Sequence, residues 1–234
     1  MVLNILKKIV KDIKKGHSKQ LIHFIMNGHV ISKLKISKYD RNYQVKKLQI
    51  GGGKHIKKGW LNGDILNGNI YLNATKRFPI KSNSFEYIFA EQFIEHLDFT
   101  SGKRCMEECY RVLKPGGILR IATPDLKGLL SVYNNNNTVV DTEEVLLRHR
   151  NNHNKDCLNL CHFLNDNFRL WGHSFIYDFE TLETILMKIG FKNIVNVKFG
   201  ISSDPQLNGL EIHADTDWMK SAYQIIIEVK KPND

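Results

Sequence analysis

The sequence contains few cysteines and no long apolar segment. Four cysteines in 234 residues are too few for a disulfide framework. Their spacing, Cys105 with Cys109 and Cys157 with Cys161, is not the CxxC of redox or zinc-ribbon motifs. No apolar run reaches the ~18 residues that a membrane span needs. Lysines also interrupt the first apolar residues, so we expect neither a transmembrane segment nor a secretory signal, and a cytoplasmic protein.

Acidic residues are scarce at the start of the chain. Residues 1–47 contain 12 Lys/Arg and 2 Asp/Glu, whereas residues 48–234 contain 22 of each class. The net charge of +10 therefore lies entirely in the first fifth of the sequence. A uniformly basic, nucleic-acid-binding body is disfavoured by this distribution.

We interpret residues 1–45 as a basic helical arm. Apolar residues at helical spacing predict helices over 2–15 and 20–26, and residues 29–45 are expected to be irregular with strand-like pieces. Three roles remain open for the arm: peripheral contact with an anionic membrane surface, contact with nucleic-acid phosphate, or packing of its apolar face on the body or a partner. The third is the commonest for such helices.

Residues 46–234 alternate between strand-like and helix-like runs. A helix capped by Thr100 or Ser101 is expected to reach Leu113, and Asp178 and Gly190 are expected to bound a helix over Phe179–Ile189. This alternation predicts an α/β fold with a doubly wound, mostly parallel sheet. Residues 126–177 are expected to form a helical insertion over the carboxyl edge of the sheet. The predicted strands are Lys46–Ile50, Trp60–Ile65, Asn69–Leu72, Phe85–Ala90, Gly117–Ala122, Phe191–Phe199 and Tyr223–Lys230.

A run of glycines, Gly51-Gly52-Gly53, follows the first predicted strand. Glycines there allow the backbone to approach a ligand closely. Asp64 ends the second strand, where a carboxylate can accept hydrogen bonds from both ribose hydroxyls of a nucleoside. It lies 11 residues after Gly53, against ~20 in a dinucleotide fold. The intervening helix must be reduced to little more than Lys54–Lys58.

Four further stretches resemble the class I S-adenosylmethionine-dependent methyltransferases. The second strand reads GWLNGDI, and the later stretches read FPIKSNSF, EQFIEHL and CYRVLKPGG. The resemblance covers residues 46–230 and is closest to a bacterial group with GWLNxDI and EHL…RVLKPGG motifs. It implies a Rossmann-like, doubly wound, seven-stranded sheet with a C-terminal antiparallel hairpin.

The resemblance also implies S-adenosylmethionine as the cofactor. Ile50, Gly51, Gly52 and Gly53 would form the loop under its methionine part, and Asp64 would hold the ribose. The oxygen of Asn73 would accept a hydrogen bond from the adenine amino group. The residues that would line the cofactor beside the sulfonium are Ala90, Glu91 and Gln92. Gln49 and Gly52 depart from the common family pattern.

Methyl transfer to a hydroxyl is helped by a general base, and histidine suits that role near neutral pH. His173 and His96 are the first candidates, with Glu91 as a further catalytic residue. His213, between the last two strands, is a weaker candidate. For each histidine, a structural or surface role is the alternative.

We expect no metal, but two sets of side chains keep the question open. The resemblance includes enzymes that bind a divalent ion through a Glu-x-x-Glu-His motif, and Glu95, His96 and His173 would be what remains of it here. The other set is spaced four residues apart and contains zinc-type ligands. Its members are His149, His153, Cys157 and Cys161.

The sequence therefore predicts methyl transfer to an oxygen of a small-molecule or glycan-like acceptor. Nucleic acid is a disfavoured substrate, because no Asn-Pro-Pro-Tyr-like motif follows Ala90. The alternative from another class is a catalytically inactive module that binds S-adenosylmethionine or S-adenosylhomocysteine and acts by interaction or regulation. A nicotinamide-dependent oxidoreductase is a distant third. The acceptor's identity and the oligomeric state are left undetermined.

Overall fold

The computed structural model describes residues 29–134, 141–214, 216–217 and 219–233. Their strands form a seven-stranded sheet in the order β3-β2-β1-β4-β5-β7-β6, flanked by helices. The predicted helices over 2–15 and 20–26 lie outside the described residues. The strands are β1 (Lys47–Ile50), β2 (Leu61–Asp64), β3 (Ile70–Tyr71), β4 (Phe85–Glu91), β5 (Leu113–Pro124), β6 (Lys192–Asn196) and β7 (Gln224–Lys230).

Strands β1 to β5 are parallel, and β7 runs antiparallel to both β5 and β6. This arrangement confirms the expected Rossmann-like sheet with a C-terminal antiparallel hairpin. Ile50 at the end of β1 stands in register with Gly63 of β2 and Ala90 of β4. The loops that follow these three strands therefore meet at one edge of the sheet, where ligands bind in open α/β folds.

The helices show both a correct and an incorrect cap prediction. Asp178 caps α6 by accepting a hydrogen bond from the Thr181 amide at 2.9 Å, as expected. The cap of α2 is Asp98, whose carboxylate accepts from the Ser101 amide at 2.9 Å, so the prediction of Thr100 or Ser101 is wrong.

No described helix is long and apolar enough to cross a bilayer. The helices are α1 (His29–Asn42), α2 (Phe99–Val112), α3 (Leu126–Tyr133), α4 (Thr142–Asn152), α5 (Leu160–Arg169) and α6 (Phe179–Ile189).

Helix α1 replaces the irregular segment predicted for residues 29–45. It is held to the sheet by polar contacts: the Tyr39 hydroxyl accepts from the Lys47 amide at 2.9 Å and lies 3.0 Å from the Gly59 carbonyl oxygen. The buried Ser32 hydroxyl accepts from the Tyr71 amide at 3.3 Å. Because these anchoring side chains are polar, α1 lacks the apolar stripe by which sequence patterns reveal a helix.

The short helix expected over Lys54–Lys58 is absent, and this segment consists of turns. The face of the sheet beside it is covered by the loop between β6 and β7. Leu207 and Leu210 of that loop pack with Trp60 and Phe89. A loop distant in sequence thus covers apolar surface that a first helix would otherwise cover.

The loop between β6 and β7 is held down by a buried ion group centred on Arg120 of β5. Glu211 accepts from Nε and Nη2 of this guanidinium at 2.6 and 2.9 Å. Nη1 pairs with Glu228 and donates to the Ile201 carbonyl oxygen at 2.9 Å. All three ionic side chains are buried, so each depends on the others to offset its lost hydration.

The segment predicted as an insertion, residues 126–177, contains α3, α4 and α5. These helices share an apolar cluster of their own, separate from the main core, which includes Leu129, Val145 and Phe163. We call this segment the cap. Its end returns to the sheet through a parallel bridge between Asp125 and Tyr177, and this return brings His173 to the carboxyl edge.

Candidate active site

The glycine loop after β1 has the backbone that its composition predicts. Gly51 and Gly53 have φ values of +67° and +54°, in the left-handed region that favours glycine. A methyl group at Gly51 would lie 2.0 Å from the Phe93 ring, whereas no atom lies within 4 Å of one built at Gly53. Space for a ligand therefore opens above Gly53, while Phe93 covers Gly51.

Asp64 fastens this loop to the end of β2. Its Oδ2 accepts from the Gly53 amide at 3.1 Å, and its Oδ1 accepts from the Leu66 and Asn67 amides at 2.6 and 3.2 Å. Each carboxylate oxygen has two lone pairs, so Oδ2 retains a lone pair for a ribose hydroxyl. The position fits the role implied by the resemblance.

Asn73 is placed differently from what we expected. Its Oδ1 already accepts from the Thr75 amide at 3.0 Å and from the Thr75 hydroxyl at 2.8 Å. Both lone pairs of this oxygen are therefore used within a turn, and the expected bond to an adenine amino group would compete with them. An adenine ring at this position would instead meet the side-chain amide nitrogen of Asn73, a donor suited to a ring nitrogen.

The end of β4 presents Ala90, Glu91 and Gln92, which were expected beside the sulfonium. Ala90 and Glu91 are buried. Gln92 adopts a φ of +47°, which is uncommon for a residue with a side chain. Its buried Nε2 makes no hydrogen bond to any described residue. A strained backbone and an unpaired buried amide at a strand end fit a ligand-binding position.

Glu91, expected to be catalytic, is engaged by the loop between β6 and β7. Its Oε1 accepts from the amides of Ile212 and His213 at 2.8 and 2.9 Å, and its Oε2 lies 3.1 Å from His213 Nδ1. Burial alone would raise the pKa of Glu91, but the His213 contacts hold it below its ordinary value. The same carboxylate raises the pKa of His213. This geometry suits positioning of the loop rather than proton transfer.

Two expected catalytic histidines meet at the same edge. The rings of His96 and His173 are 5.0 Å apart in an edge-to-face arrangement. His173 Nδ1 lies 2.6 Å from the Asn167 carbonyl oxygen, which can only accept. Nδ1 therefore carries the proton, and Nε2 of the neutral ring keeps its lone pair. Burial lowers the pKa of both histidines, which keeps them neutral at pH 7.

Glu95 is the residue of this site whose burial and raised pKa the sequence analysis did not predict. It is fully buried; Oε2 accepts from the Thr123 hydroxyl at 2.9 Å, and Oε1 makes no hydrogen bond to a described residue. Burial raises its pKa to about 7. The ligand atoms of Glu95, His96 and His173 lie within 4.8 Å of one another, so they form one cluster. The EHL motif was the only signal, and within it we considered Glu95 for metal binding alone.

The second predicted metal set is only partly brought together. Cys161 is exposed, and the residue that joins His149 and Cys157 is Asp166 instead. The ring of His153 lies 5.5 Å from that of His149. The four-residue spacing did not reveal this set because Asp166 lies on a different helix from His149.

Comparison with known proteins agrees with this geometry. The family model described as "Methyltransferase domain" matches residues 55–121, which extend from the β1–β2 loop into β5. No curated protein matches the sequence significantly.

Two solved structures are similar to this chain over most of its length at low sequence identity. A SAM-dependent methyltransferase from Archaeoglobus fulgidus is 16% identical, with a TM-score of 0.50 over 96% of this chain and 99% of that one. A SAM-dependent methyltransferase from Thermotoga maritima is 17% identical, with a TM-score of 0.46 over 97% and 98% of the two chains. Residues 55–121 thus match a methyltransferase domain, and the described residues share the fold of a solved SAM-dependent methyltransferase, in agreement with the resemblance noted in the sequence.

Proposed function

We propose that the protein methylates an oxygen, specifically a hydroxyl, of a small-molecule or glycan-like acceptor. The observation that carries this proposal is the neutral imidazole of His173, a member of the Glu95–His96–His173 cluster, whose Nδ1 is engaged by the Asn167 carbonyl oxygen so that the lone pair is left on Nε2. A hydroxyl is a weak nucleophile until its proton is removed, and an imidazole with a lowered pKa can remove it. S-adenosylmethionine would supply an activated methyl group on a sulfonium.

The surroundings of His173 support an acceptor with a ring. The Trp171 ring is 44% exposed and lies 5.5 Å from the His173 ring, centroid to centroid. Trp171 also has a φ of +63°, a strained conformation that the cap maintains. An exposed indole beside the base offers an apolar face to a sugar ring or another flat acceptor.

The acceptor class can be tested with the full chain, labelled methyl donor and fractionated cell extract. We expect label in the small-molecule or polysaccharide fraction, on a bond that survives mild alkali because methyl ethers are stable there. Alkali-labile label would indicate a methyl ester and hence a carboxylate acceptor. Label in RNA, or in protein alone, would contradict the proposal.

Cofactor binding gives a prediction for Asp64. We expect Asp64→Ala to weaken S-adenosylmethionine binding about 10- to 150-fold, because hydrogen bonds to charged groups contribute about 1.5–3 kcal/mol. Isothermal titration calorimetry would measure the change. Asp40→Ala, which removes an exposed acid from α1, is the matched control and should bind like wild type. Equal affinity for wild type and Asp64→Ala would show that Asp64 serves only to close the loop.

A second function, an inactive module that binds S-adenosylmethionine or S-adenosylhomocysteine, is favoured by two observations. The Phe93 ring covers Gly51, and the Glu91 carboxylate is engaged by the amides of Ile212 and His213. Both features narrow the region beside the cofactor's expected methionine part. Binding without label transfer to any extract fraction would support this function over catalysis.

A further inference from the structure

The cap contains a second cluster of ligand-type side chains, away from the acceptor site. His149 of α4, Cys157 of the following loop and Asp166 of α5 place their ligand atoms within 4.8 Å of one another. His149 Nε2 lies 2.7 Å from Asp166 Oδ2. Three separate segments of the cap thus bring one ligand atom each to the same place.

The donor set points to a particular class of metal. It offers one imidazole nitrogen, one sulfur and one carboxylate oxygen, a combination that suits zinc and related borderline-soft ions. Hard cations such as magnesium or calcium prefer all-oxygen sites, and a thiol is a poor ligand for them. His149 and Cys157 are only 4% and 1% exposed, so an ion there would be shielded from water.

Neighbouring groups hold these ligands in place. The side-chain Nδ2 of Asn154 donates a hydrogen bond to Asp166 Oδ2 at 2.8 Å. Arg150 donates to the Cys157 carbonyl oxygen at 2.7 Å and to the Leu158 carbonyl oxygen at 2.9 Å, which fixes the loop that carries the thiol. Partners that orient ligands from behind are characteristic of metal sites.

We propose that His149, Cys157 and Asp166 bind one zinc-class divalent ion. Binding forms bonds from the metal to His149 Nε2, to the Cys157 sulfur and to an Asp166 oxygen. The thiol releases its proton to solvent, and the proton on His149 moves from Nε2 to Nδ1, because Nε2 must present a lone pair. Water or His153, whose ring lies beside that of His149, would supply the fourth ligand.

Such an ion would have a structural role in the cap. It would clamp α4, the loop after it and α5 to one another, next to Trp171, whose ring lies 6.2 Å from that of His149. Trp171 in turn adjoins His173 of the candidate active site. The ion would therefore stabilise the part of the chain that holds the acceptor site, without touching the reacting atoms.

The test uses the full chain, loaded with cobalt(II) in place of zinc. We expect one cobalt per chain, a cobalt–thiolate charge-transfer absorption, the strong visible bands of a tetrahedral site, and a raised melting temperature with added zinc. Cys157→Ser should abolish the charge-transfer absorption. Cys161→Ser, an exposed cysteine in the same cap, is the matched control and should retain it.

Three results would overturn the proposal. One is a folded wild-type chain, by circular dichroism, that binds no cobalt or zinc. Another is bound cobalt without a thiolate absorption, which would place the ion elsewhere, such as at Glu95, His96 and His173. The third is equal loss of the absorption in Cys161→Ser.

If Cys157→Ser fails to fold, Asp166→Asn is the second variant to test. It should keep the thiolate band but bind cobalt at least tenfold more weakly. None of these measurements depends on methyltransferase activity.

Discussion

Replacing His173 by alanine should lower the methyl-transfer rate by about 100- to 10,000-fold, the usual contribution of a general base. The affinity for S-adenosylmethionine should change little, because His173 belongs to the cluster with Glu95 and His96 and not to the glycine loop or Asp64, which are expected to hold the cofactor. Initial rates with labelled donor would measure the first effect, and calorimetry the second. His162→Ala, at an exposed cap histidine, is the matched control and should keep wild-type turnover.

The pH profile separates a base from a structural histidine. Burial lowers the pKa of His173 below its ordinary value of 6.5, so the ring is neutral at pH 7 and gains a proton only in more acidic solution. In wild type, kcat/KM should therefore fall as the pH drops through that lowered pKa, at a more acidic pH than the range near 7 in which the neighbouring Glu95 titrates. His173→Gln should lose this acidic limb together with the rate.

Added imidazole gives a further check on the role of His173. It should restore part of the turnover of His173→Ala, because it can enter the space left by the side chain. A small loss of rate with an unchanged pH profile would contradict the base assignment. Loss of turnover on chelation in Cys157→Ser as well as in wild type, with recovery on adding a divalent ion, would reassign the Glu95–His96–His173 cluster to metal binding.

Arg120→Met is expected to reduce the free energy of unfolding by about 3–5 kcal/mol, the cost of leaving buried charges without a partner. The guanidinium is the cation that faces both Glu211 and Glu228, and all three side chains are buried. Urea denaturation followed by circular dichroism would measure the change. The loop between β6 and β7 should also loosen, because Glu211 accepts from the Gly200 amide at 3.0 Å as well as from Arg120.

A compensated variant is the control for Arg120. Arg120→Met combined with Glu211→Gln and Glu228→Gln removes the charges together, and it should recover much of the lost stability. A cost below about 1 kcal/mol for Arg120→Met alone, typical of a surface pair, would contradict the description of a buried, mutually dependent group.

The parts of the fold predicted from sequence are those encoded by neighbouring residues. Both ends of helix α6 were predicted correctly, because the residues that begin and end it, Asp178 and Gly190, lie directly next to it in the sequence. Strand β4 was found because it is a largely apolar run, as is typical of a buried parallel strand. Helix α1 was missed because Ser32 and Tyr39 anchor it through hydroxyl groups. Such anchors leave no apolar stripe at helical spacing in the sequence. The loop that covers Phe89 could not be foreseen, because no local pattern marks it.

The same division applies to the candidate site. The glycine loop and Asp64 are local features, so their position at the sheet edge followed from the strands. The partner of Glu91 is His213, which is distant in sequence, and the partner of His149 is Asp166 on another helix. Pairings of this kind depend on how the chain folds back on itself, which spacing along the sequence does not record.

Calorimetric titration of the full chain with S-adenosylmethionine and with S-adenosylhomocysteine tests the central claim most directly. The account predicts that each ligand binds at one site per chain, that Asp64→Ala weakens both, and that either ligand raises the melting temperature of wild type. A folded chain that shows neither binding heat nor a thermal shift with either ligand, even at high concentration, would contradict it.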